Sequence, residues 1–368
     1  MDLLTVKDLS VDLGNFSLKN VSFGVPEGSY CCLLGASGAG KSVLLETIIG
    51  GFRPRRGKVF LRGEDVTSWP PERRRLGIVY QDYMLFPHLD VYRNIAFGLV
   101  GKGLSGEEIR SRVESISDHL DIADLMQRDI ATLSGGEQQR TALARALITE
   151  PEILLLDEAF SALDVNTRER MRDLMSRIAS EIEITVLHVT HDREDVWALA
   201  SHVAVIHEGE MLQYGTPEEV FRRPRPGYVA GIVGARNLIE GVVVTGKEEG
   251  LGVVHSRGTM LFTSESLEGN SDVVMSVRPE DIIVARDGGA VSARNRITVV
   301  LSGIEKRGPL VWLTGRAGDL ELVAVVTVSG FDALEISRGE TCQFIFKASS
   351  LCLAGADDVA CEMAANYT

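Results

Sequence analysis

Residues 35–42 of this chain read GASGAGKS, a complete match to the pattern GxxxxGK[ST]. They follow an apolar run at residues 30–34, YCCLL, and precede a segment of helical character at residues 43–49. In this strand–loop–helix order, glycines let successive backbone N–H groups converge on phosphate oxygens, and the positive end of the helix lies beneath them. The stretch therefore predicts a nucleoside triphosphate site on an α/β fold.

The side chains of this loop have separate expected roles. Lys41 would neutralise charge on the β- and γ-phosphates, and the hydroxyl of Ser42 would ligate Mg²⁺. The nucleotide-binding residues predicted from the loop are Gly35, Ser37, Gly38, Ala39, Gly40, Lys41 and Ser42.

A second motif, ILLLDE at residues 153–158, is an apolar strand that ends in two carboxylates. We expect Asp157 to complete the Mg²⁺ shell opposite Ser42 through water, and Glu158 to polarise the water that attacks the γ-phosphate. Acidic pairs are also common on solvated loops, so this interpretation depends on the phosphate loop.

The pattern of strands and helices divides the chain. Strand–loop–helix order recurs within residues 1–233, which predicts a mostly parallel sheet covered by helices. Within it, about residues 86–150 are rich in Ile, Leu, Ala, Glu and Arg and are expected to form an inserted helical subdomain. Residues 234–368 contain short Val-rich runs between glycine turns, which predicts a small all-β, OB-like barrel or sandwich. Two related β halves remain an open alternative.

Composition restricts the possible partners. The formal net charge of −14 argues against binding to nucleic acid or anionic lipid. The five cysteines form no CxxC pair, so we expect a reducing compartment and no structural zinc. Neither a secretory signal nor an apolar run of about 20 residues is apparent, so any action on a membrane is expected from outside the lipid.

The most specific motif is LSGGEQQR at residues 133–140, which resembles the signature sequence of ATP-binding-cassette ATPases. At a predicted helix start, Ser134, Gly135 and Gly136 would offer a hydroxyl, backbone N–H groups and a helix dipole to an anion. The resemblance implies that these residues, with Glu137, contact ATP held by a second copy of the chain. A homodimer would then enclose two nucleotides.

Further family motifs occur in the family's order. Gln81 resembles the glutamine that senses Mg²⁺ and the lytic water, Asp164 of SALD resembles the loop that crosses the dimer interface, and His191 resembles the switch histidine that contacts the γ-phosphate. A lone glutamine or histidine would more often be structural, so these roles depend on the agreement of all the motifs.

Two positions depart from the family pattern. Leu13 stands where the aromatic residue that stacks on adenine is expected, with Phe16 nearby, so either Phe16 substitutes or adenine packs on an aliphatic face. Ala159 replaces the usual proline after the acidic pair, which should change loop stiffness without removing a catalytic group.

The resemblance covers residues 1–233 closely and is sharpest with the ATPases of import systems. It implies membrane permease subunits, an extracytoplasmic solute-binding protein, and a place at the cytoplasmic face of the membrane. Residues 83–89, YMLFPHL, resemble the surface that receives a coupling helix of the permease, although their apolar side chains could equally be core.

The solute is indicated by the second domain. SVRPEDI at residues 276–282 is similar to part of the regulatory domain of importer ATPases, and FKASS at residues 346–350 resembles a segment of molybdate/tungstate-type ATPases. Lys347, Ser349 and Ser350 suit a tetrahedral oxyanion because all carry donors, although a solvated strand end would look the same.

The function predicted is therefore ATP-driven import of molybdate or tungstate, with feedback regulation by the second domain. Alternative solutes are sulfate or thiosulfate, ferric iron, polyamines and sugars. Alternatives of another class are a non-transport cassette ATPase and an oxyanion-sensing protein.

Overall fold

The computed structural model describes residues 2–225, 227–244, 250–267, 269, 271–287, 289 and 291–354. The chain divides after Pro217 into two compact units, called here the first and the second unit. The boundary predicted from the sequence lies after residue 233, whereas the structure groups residues 218–233 with the second unit. One reason is an ion pair of 2.6 Å between Arg223 Nη2 and Glu265 Oε1, which ties this segment to the strands that follow.

The first unit contains the secondary structure on which the predicted nucleotide site depends. Its strands are β1 (Asp2–Asp12), β2 (Ser17–Pro26), β3 (Tyr30–Leu34), β4 (Arg56–Leu61), β5 (Glu64–Asp65), β6 (Leu76–Val79), β7 (Ile153–Asp157), β8 (Thr185–Thr190), β9 (His202–His207) and β10 (Glu210–Gly215). Its helices are α1 (Lys41–Ile49), α2 (Val91–Ala96), α3 (Gly106–His119), α4 (Gly135–Leu147), α5 (Val165–Glu181) and α6 (Arg193–Leu199).

The central sheet of this unit has six strands in the order β10-β9-β3-β8-β7-β6. Strands β9 to β6 run parallel and β10 is antiparallel to β9. Every residue of β3 and β8 is buried, as expected for parallel strands covered on both faces. The carboxyl ends of β3, β8 and β7 therefore lie at one edge, where the loops that follow them can meet.

Two further parts complete the first unit. A second sheet, with strands in the order β2-β1-β4-β5, shares a buried apolar core with the central sheet. Helices α2, α3 and α4 lie between β6 and β7, which confirms the expected helical insertion in the α/β core.

The second unit is mostly β, as the sequence predicts. Its strands are β11 (Asn237–Val243), β12 (Gly252–Ser256), β13 (Thr259–Thr263), β14 (Asp272–Val277), β15 (Ile283–Ala285), β16 (Asn295–Arg307), β17 (Leu310–Ala317), β18 (Leu320–Thr327), β19 (Thr341–Phe346) and β20 (Cys352–Leu353). Its helices are α7 (Pro217–Arg222), α8 (Tyr228–Val233) and α9 (Val328–Leu334).

The strand order shows that the second unit consists of two related halves. One five-stranded sheet runs β13-β12-β11-β14-β20, and the other, read from its far edge, runs β18-β17-β16-β19-β15. Strands β11 to β14 thus correspond to β16 to β19 in order, while the fifth strand of each half pairs with the sheet of the other. The two sheets enclose a single apolar core.

Two equivalent asparagines join the halves. Asn237, at the start of β11, donates to the carbonyl of Val323 on β18 at 2.8 Å and accepts from the Val323 N–H at 2.6 Å. Asn295, at the start of β16, makes the same pair of bonds with Phe262 on β13, at 2.8 and 2.7 Å. Each buried amide therefore acts as a backbone partner for the opposite sheet.

None of the helices in the described part of the chain has the length and apolar character required to span a membrane.

Candidate nucleotide site

The phosphate loop has the backbone conformation that its sequence requires. Gly38 and Gly40 have φ of 81° and 104°, in the left-handed region that favours glycine. A Cβ atom on Gly40 would also lie 2.5 Å from the ring of Phe16. No side chain caps the start of α1 at Gly40, so its first N–H groups are oriented toward whatever the loop binds.

Lys41 is a buried cation with fixed partners. Its Nζ donates to the carbonyls of Gly35 at 2.8 Å and Ala36 at 2.9 Å, and lies 3.3 Å from Oε1 of Glu158. Because the side chain is only 4% exposed, its charge acts in a medium of low effective dielectric constant.

Ser42 and Asp157 meet across the edge of the sheet. The Ser42 hydroxyl donates to Oδ1 of Asp157 at 3.2 Å. Burial at the end of β7 raises the pKa of Asp157, an effect that the hydrogen bond from Ser42 partly offsets. A cation bound here would therefore be attracted strongly, because the carboxylate of Asp157 is largely removed from water.

Glu158 occupies a strained position between two basic side chains. Its φ is 47°, in the left-handed region, and its N–H donates to the carbonyl of Val189 at 3.0 Å. Its carboxylate lies 3.3 Å from Lys41 and, through Oε2, 3.4 Å from Nδ1 of His191. The structure thus brings together Lys41 at the start of α1, Glu158 after β7 and His191 after β8.

Gln81 is not part of this cluster. It is exposed in the turn after β6, and among the described residues none hydrogen-bonds to its side chain. The neighbouring Tyr80 hydroxyl donates to Glu46 at 3.0 Å, and burial, followed by this bond, raises the pKa of Tyr80 to about 12.

The signature residues form a separate helix start. The Ser134 N–H donates to Glu137 Oε2 at 2.6 Å, and the Glu137 N–H donates to the Ser134 hydroxyl at 3.4 Å, a reciprocal cap of α4. The Ser134 hydroxyl also donates to Glu137 Oε2 at 2.7 Å, and this bond, followed by the one from the Ser134 N–H, lowers the pKa of Glu137. A Cβ atom on Gly136 would lie 2.9 Å from Thr167, so a small residue is required where α4 starts beside α5. Ser134 and Gly135 are exposed.

Asp164 caps the next helix. Its carboxylate accepts from the Thr167 N–H at 3.1 Å at the start of α5. The Thr167 side chain, followed by this backbone bond, lowers the pKa of Asp164. Asp164 is exposed, whereas Ala159 at the other end of the same loop is fully buried.

Phe16 and Leu13, the two side chains expected near adenine, have different surroundings. The Phe16 ring is half-buried and packs on the phosphate loop at Gly40, while the Leu13 side chain is 43% exposed. The Leu13 N–H donates to the Phe16 carbonyl at 2.9 Å, so both belong to one tight turn.

His188, a buried histidine behind the site, is absent from the sequence predictions. Its Nδ1 lies 3.1 Å from the Tyr30 hydroxyl, and its ring meets Phe160 edge-on at 4.7 Å. Burial lowers the pKa of His188 to about 4, so the ring is neutral at physiological pH. A histidine inside an otherwise apolar strand is the signal that could have indicated it.

The segment predicted to bind an oxyanion lies between β19 and β20. Lys347 precedes a single helical turn, Ala348–Ser350, in which the Ser350 N–H donates to the Lys347 carbonyl at 3.0 Å. Lys347 and Ser349 are exposed and Ser350 is half-buried. Within the described ranges, no ion pair includes Lys347.

Comparisons with known proteins decide the family. A family model described as ABC transporter matches residues 18–161, and one described as TOBE domain matches residues 291–353. The molybdate/tungstate import ATP-binding protein of Pyrococcus abyssi is 43% identical over 349 residues, which are 95% of this chain and 99% of the relative. The chain belongs to the ATP-binding-cassette importer ATPases.

Other comparisons agree with this family. The spermidine/putrescine import ATP-binding protein of Frankia alni is 39% identical over 77% of this chain and 64% of its own length. The solved structure of cbiO1 from Clostridium perfringens, part of the ABC transporter complex cbiONQ, is 30% identical with a TM-score of 0.56, covering 60% of this chain and 90% of its own. The chain is an ATPase that binds ATP.

In this cassette ATPase the segment at residues 83–89 is neither all core nor all surface. Tyr83 is buried, while Met84 is 53% exposed. Arg145 donates to the carbonyls of Tyr83 and Met84 at 2.9 and 2.8 Å and lies over the Phe86 ring, which packs at 4.4 Å on a half-exposed Phe97. Arg145 of α4 thus holds the backbone of the segment, while the Met84 side chain is exposed.

Proposed function

We propose that two copies of this importer ATPase close around two ATP molecules and thereby drive uptake of molybdate or tungstate through permease subunits. The observation that carries the proposal is the division of ATP-binding groups. Lys41, Glu158 and His191 cluster within 3.4 Å contacts. The exposed helix start at Ser134 has no hydrogen bond to that cluster among the described residues, so a second copy is the natural source of the missing cap.

Mg²⁺ fits the oxygens present beside the phosphate loop. The Ser42 hydroxyl and the Asp157 carboxylate, 3.2 Å apart, are the hard donors that this ion prefers. Bound there, the ion would neutralise charge on the β- and γ-phosphates, and the Gln81 side chain, which lies outside this cluster, would have to approach it when the site closes.

Hydrolysis then depends on Glu158. Its carboxylate would accept a proton from water as the water oxygen bonds to the γ-phosphorus, while the bond between that phosphorus and the β–γ bridging oxygen breaks and ADP leaves. Lys41 and His191, on either side of Glu158, would hold the phosphate charge and keep the carboxylate oriented.

ATP can drive transport because it would bind the closed conformation of the pair more tightly than the open one. Each ATP would contact both copies only when they are closed, so ATP lowers the free energy of the closed state specifically. Hydrolysis removes that contact and the pair reopens. The permease, engaged at residues 83–89 on the cytoplasmic face of the membrane, would follow these changes and receive solute from an extracytoplasmic binding protein.

The choice of solute is supported by the extent of similarity. The Pyrococcus abyssi molybdate/tungstate relative aligns over 95% of this chain, including the second unit, whereas the Frankia alni spermidine/putrescine relative aligns over 77%. Uptake by the transporter reconstituted in vesicles would separate these solutes. We expect uptake of labelled tungstate that excess molybdate suppresses; uptake of spermidine alone would overturn the assignment.

Regulation by the second unit is the finer part of the proposal. Exposed Lys347 and the two hydroxyls after it would bind the imported oxyanion and hold the ATPase halves apart. Millimolar molybdate should therefore lower ATPase activity of the intact transporter, and Lys347→Ala should remove that response. An equal response in wild type and variant would reject this site.

Glu158→Gln tests the motor itself. It keeps the shape of the side chain but removes the proton acceptor, so we expect ATP turnover to fall by about a hundredfold or more while ATP still drives pairing of two copies. Normal turnover by this variant would contradict the assigned base. The matched control is Glu169→Gln, on the exposed face of α5.

A further inference from the structure

Arg168, in the first turns of α5, contacts two functional loops through one guanidinium group. It lies four residues after Asp164 and carries no motif, so nothing in the sequence singled it out. Its side chain is 24% exposed and uses all three of its nitrogens as donors. Its partners come from residues 159–164, called here the interface loop, and from residues 190–192, called the switch loop.

The interface loop turns three carbonyl groups toward Arg168. Nε donates to the carbonyl of Phe160 at 3.1 Å, and Nη2 donates to the carbonyls of Ser161 and Leu163 at 3.2 and 3.1 Å. Outside helices and strands, backbone carbonyls need such partners when they leave water. One side chain thus supplies three of the hydrogen bonds that hold this loop in shape, beside those that Ser161 and Leu163 make within it.

The same guanidinium reaches the switch loop. Nη1 donates to Oδ2 of Asp192 at 3.1 Å, and Asp192 directly follows His191. Arg172 donates to the same oxygen at 3.0 Å, while Oδ1 of Asp192 accepts from the Glu194 N–H at 2.8 Å. Both carboxylate oxygens of Asp192 therefore accept hydrogen bonds, and one of these bonds ties the switch loop to Arg168.

Both loops border the catalytic carboxylate. The Ser161 hydroxyl donates to the carbonyl of Glu158 at 2.7 Å, and His191 lies 3.4 Å from the Glu158 side chain. Among the described residues, Arg168 makes no hydrogen bond or ion pair with the side chain of Glu158 or with the phosphate loop.

We infer that Arg168 is a positioning residue that makes the interface loop and the switch loop move as one body. When a second copy displaces the interface loop, His191 is carried with it, and the site becomes competent for hydrolysis only in the closed pair. The inference rests on the proposed function, because the displacement needs two copies that share ATP.

The test variant is Arg168→Lys. Lysine keeps the charge, but its single ammonium group cannot reproduce a planar fork that serves three carbonyls and a carboxylate. We expect kcat for ATP to fall about tenfold or more with KM within about twofold, since small displacements of catalytic groups are costly and the ATP-binding side chains are untouched. Arg110→Lys, on the exposed face of α3, makes the same chemical change and should leave kcat unchanged.

Asp192→Asn tests the link from the other loop. Asparagine still caps α6, so the variant weakens the bond to Arg168 while the helix remains capped. If the loops act as one body, the double variant should be no slower than the slower single variant, within about twofold. A double variant whose loss of kcat equals the product of the two single losses would overturn the inference. So would a single variant whose kcat equals that of wild type. If Arg168→Lys does not fold, the kcat of Asp192→Asn alone decides it.

A last measurement separates this inference from the proposed function. ATP-driven pairing, followed by light scattering, should occur in Glu158→Gln and equally in the Arg168→Lys/Glu158→Gln double variant. Absence of pairing in Glu158→Gln would contradict the shared nucleotide site itself. Pairing in Glu158→Gln but not in the double variant would show that Arg168 builds the interface, and would overturn the positioning role.

Discussion

Two lysines, one in each unit, follow similar motif-based arguments but have opposite surroundings. Lys41 is 4% exposed, donates to two backbone carbonyls and lies 3.3 Å from Glu158. Lys347 is exposed before a single helical turn, and no described carboxylate pairs with it. A motif predicts the role of a charged residue more firmly where the fold buries the charge and supplies its partners. Where the charge is left in water, the motif indicates only what could bind.

Replacing each lysine by alanine should give the largest difference between the units. Lys41→Ala removes the cation that we propose to hold the γ-phosphate and leaves Glu158 without this partner, so we expect kcat/KM for ATP to fall about a thousandfold. Lys347→Ala should leave kcat/KM within about twofold. Steady-state ATPase assays on both variants measure this, and a comparable loss in Lys347→Ala would place the second unit in the catalytic step.

Buried His188 makes the stability of the first unit depend on pH. Because its pKa falls from 6.5 to about 4 on folding, the unfolded chain binds the proton more readily. The resulting stability is fully present above pH 6.5 and is lost as pH falls toward 4. Between pH 7 and 5 the free energy of unfolding should decrease by about 2 kcal/mol from this residue.

Tryptophan fluorescence in urea can follow the units separately. Trp69 and Trp197 report on the first unit when Trp312 is replaced by phenylalanine. His188→Gln should reduce the pH dependence of the first-unit transition by about 2 kcal/mol. The described histidine of the second unit, His255, is exposed, so the Trp312 signal should change less with pH. An unchanged slope in His188→Gln would contradict the buried neutral state.

The two halves of the second unit should respond alike to loss of their asparagines. Asn237→Ala and Asn295→Ala each leave a backbone N–H and C=O of the opposite sheet without partners, which should cost about 2 kcal/mol. Asn237 also donates to Val277 at 3.1 Å, so its loss should cost slightly more. Urea unfolding followed by Trp312 measures both. A large effect in one variant and none in the other would contradict the equivalence.

The smallest expected effect is a loss of ATP affinity in variants of the residues expected to contact adenine. Phe16 packs on the phosphate loop while Leu13 faces solvent, so Phe16→Ala should weaken ATP affinity about tenfold and Leu13→Ala about twofold. Titration with a fluorescent ATP analogue measures both. The reverse order would show that adenine packs on the aliphatic side chain.

What the sequence predicts well is local. The strands at Tyr30–Leu34, Ile153–Asp157 and Thr185–Thr190 coincide with apolar runs because buried parallel strands need no polar alternation. The cluster of Lys41 with Glu158 follows from motifs at strand ends on one sheet edge. In such motifs the spacing along the chain is enough to predict which side chains lie close together.

What the sequence does not predict depends on contacts between distant segments. Arg168 meets Asp192 only because α5 packs beside the loop after β8, and no pattern within α5 indicates this. The exchanged edge strands β15 and β20 have three and two residues, too short for a periodic signal. The ion pair of Arg223 with Glu265 likewise joins residues far apart in the sequence, and no local feature reveals it.

The central claim is that the phosphate loop of one copy and the signature helix of another form one site, and mixed copies test it most directly. Lys41→Ala and Ser134→Arg copies should each be nearly inactive alone. Mixed in equal amounts with the permease, half of the pairs would contain both variants and one complete site, so activity should recover to about a quarter of wild type. Activity no greater than the sum of the separate variants, or full activity of Ser134→Arg alone, would contradict a shared site.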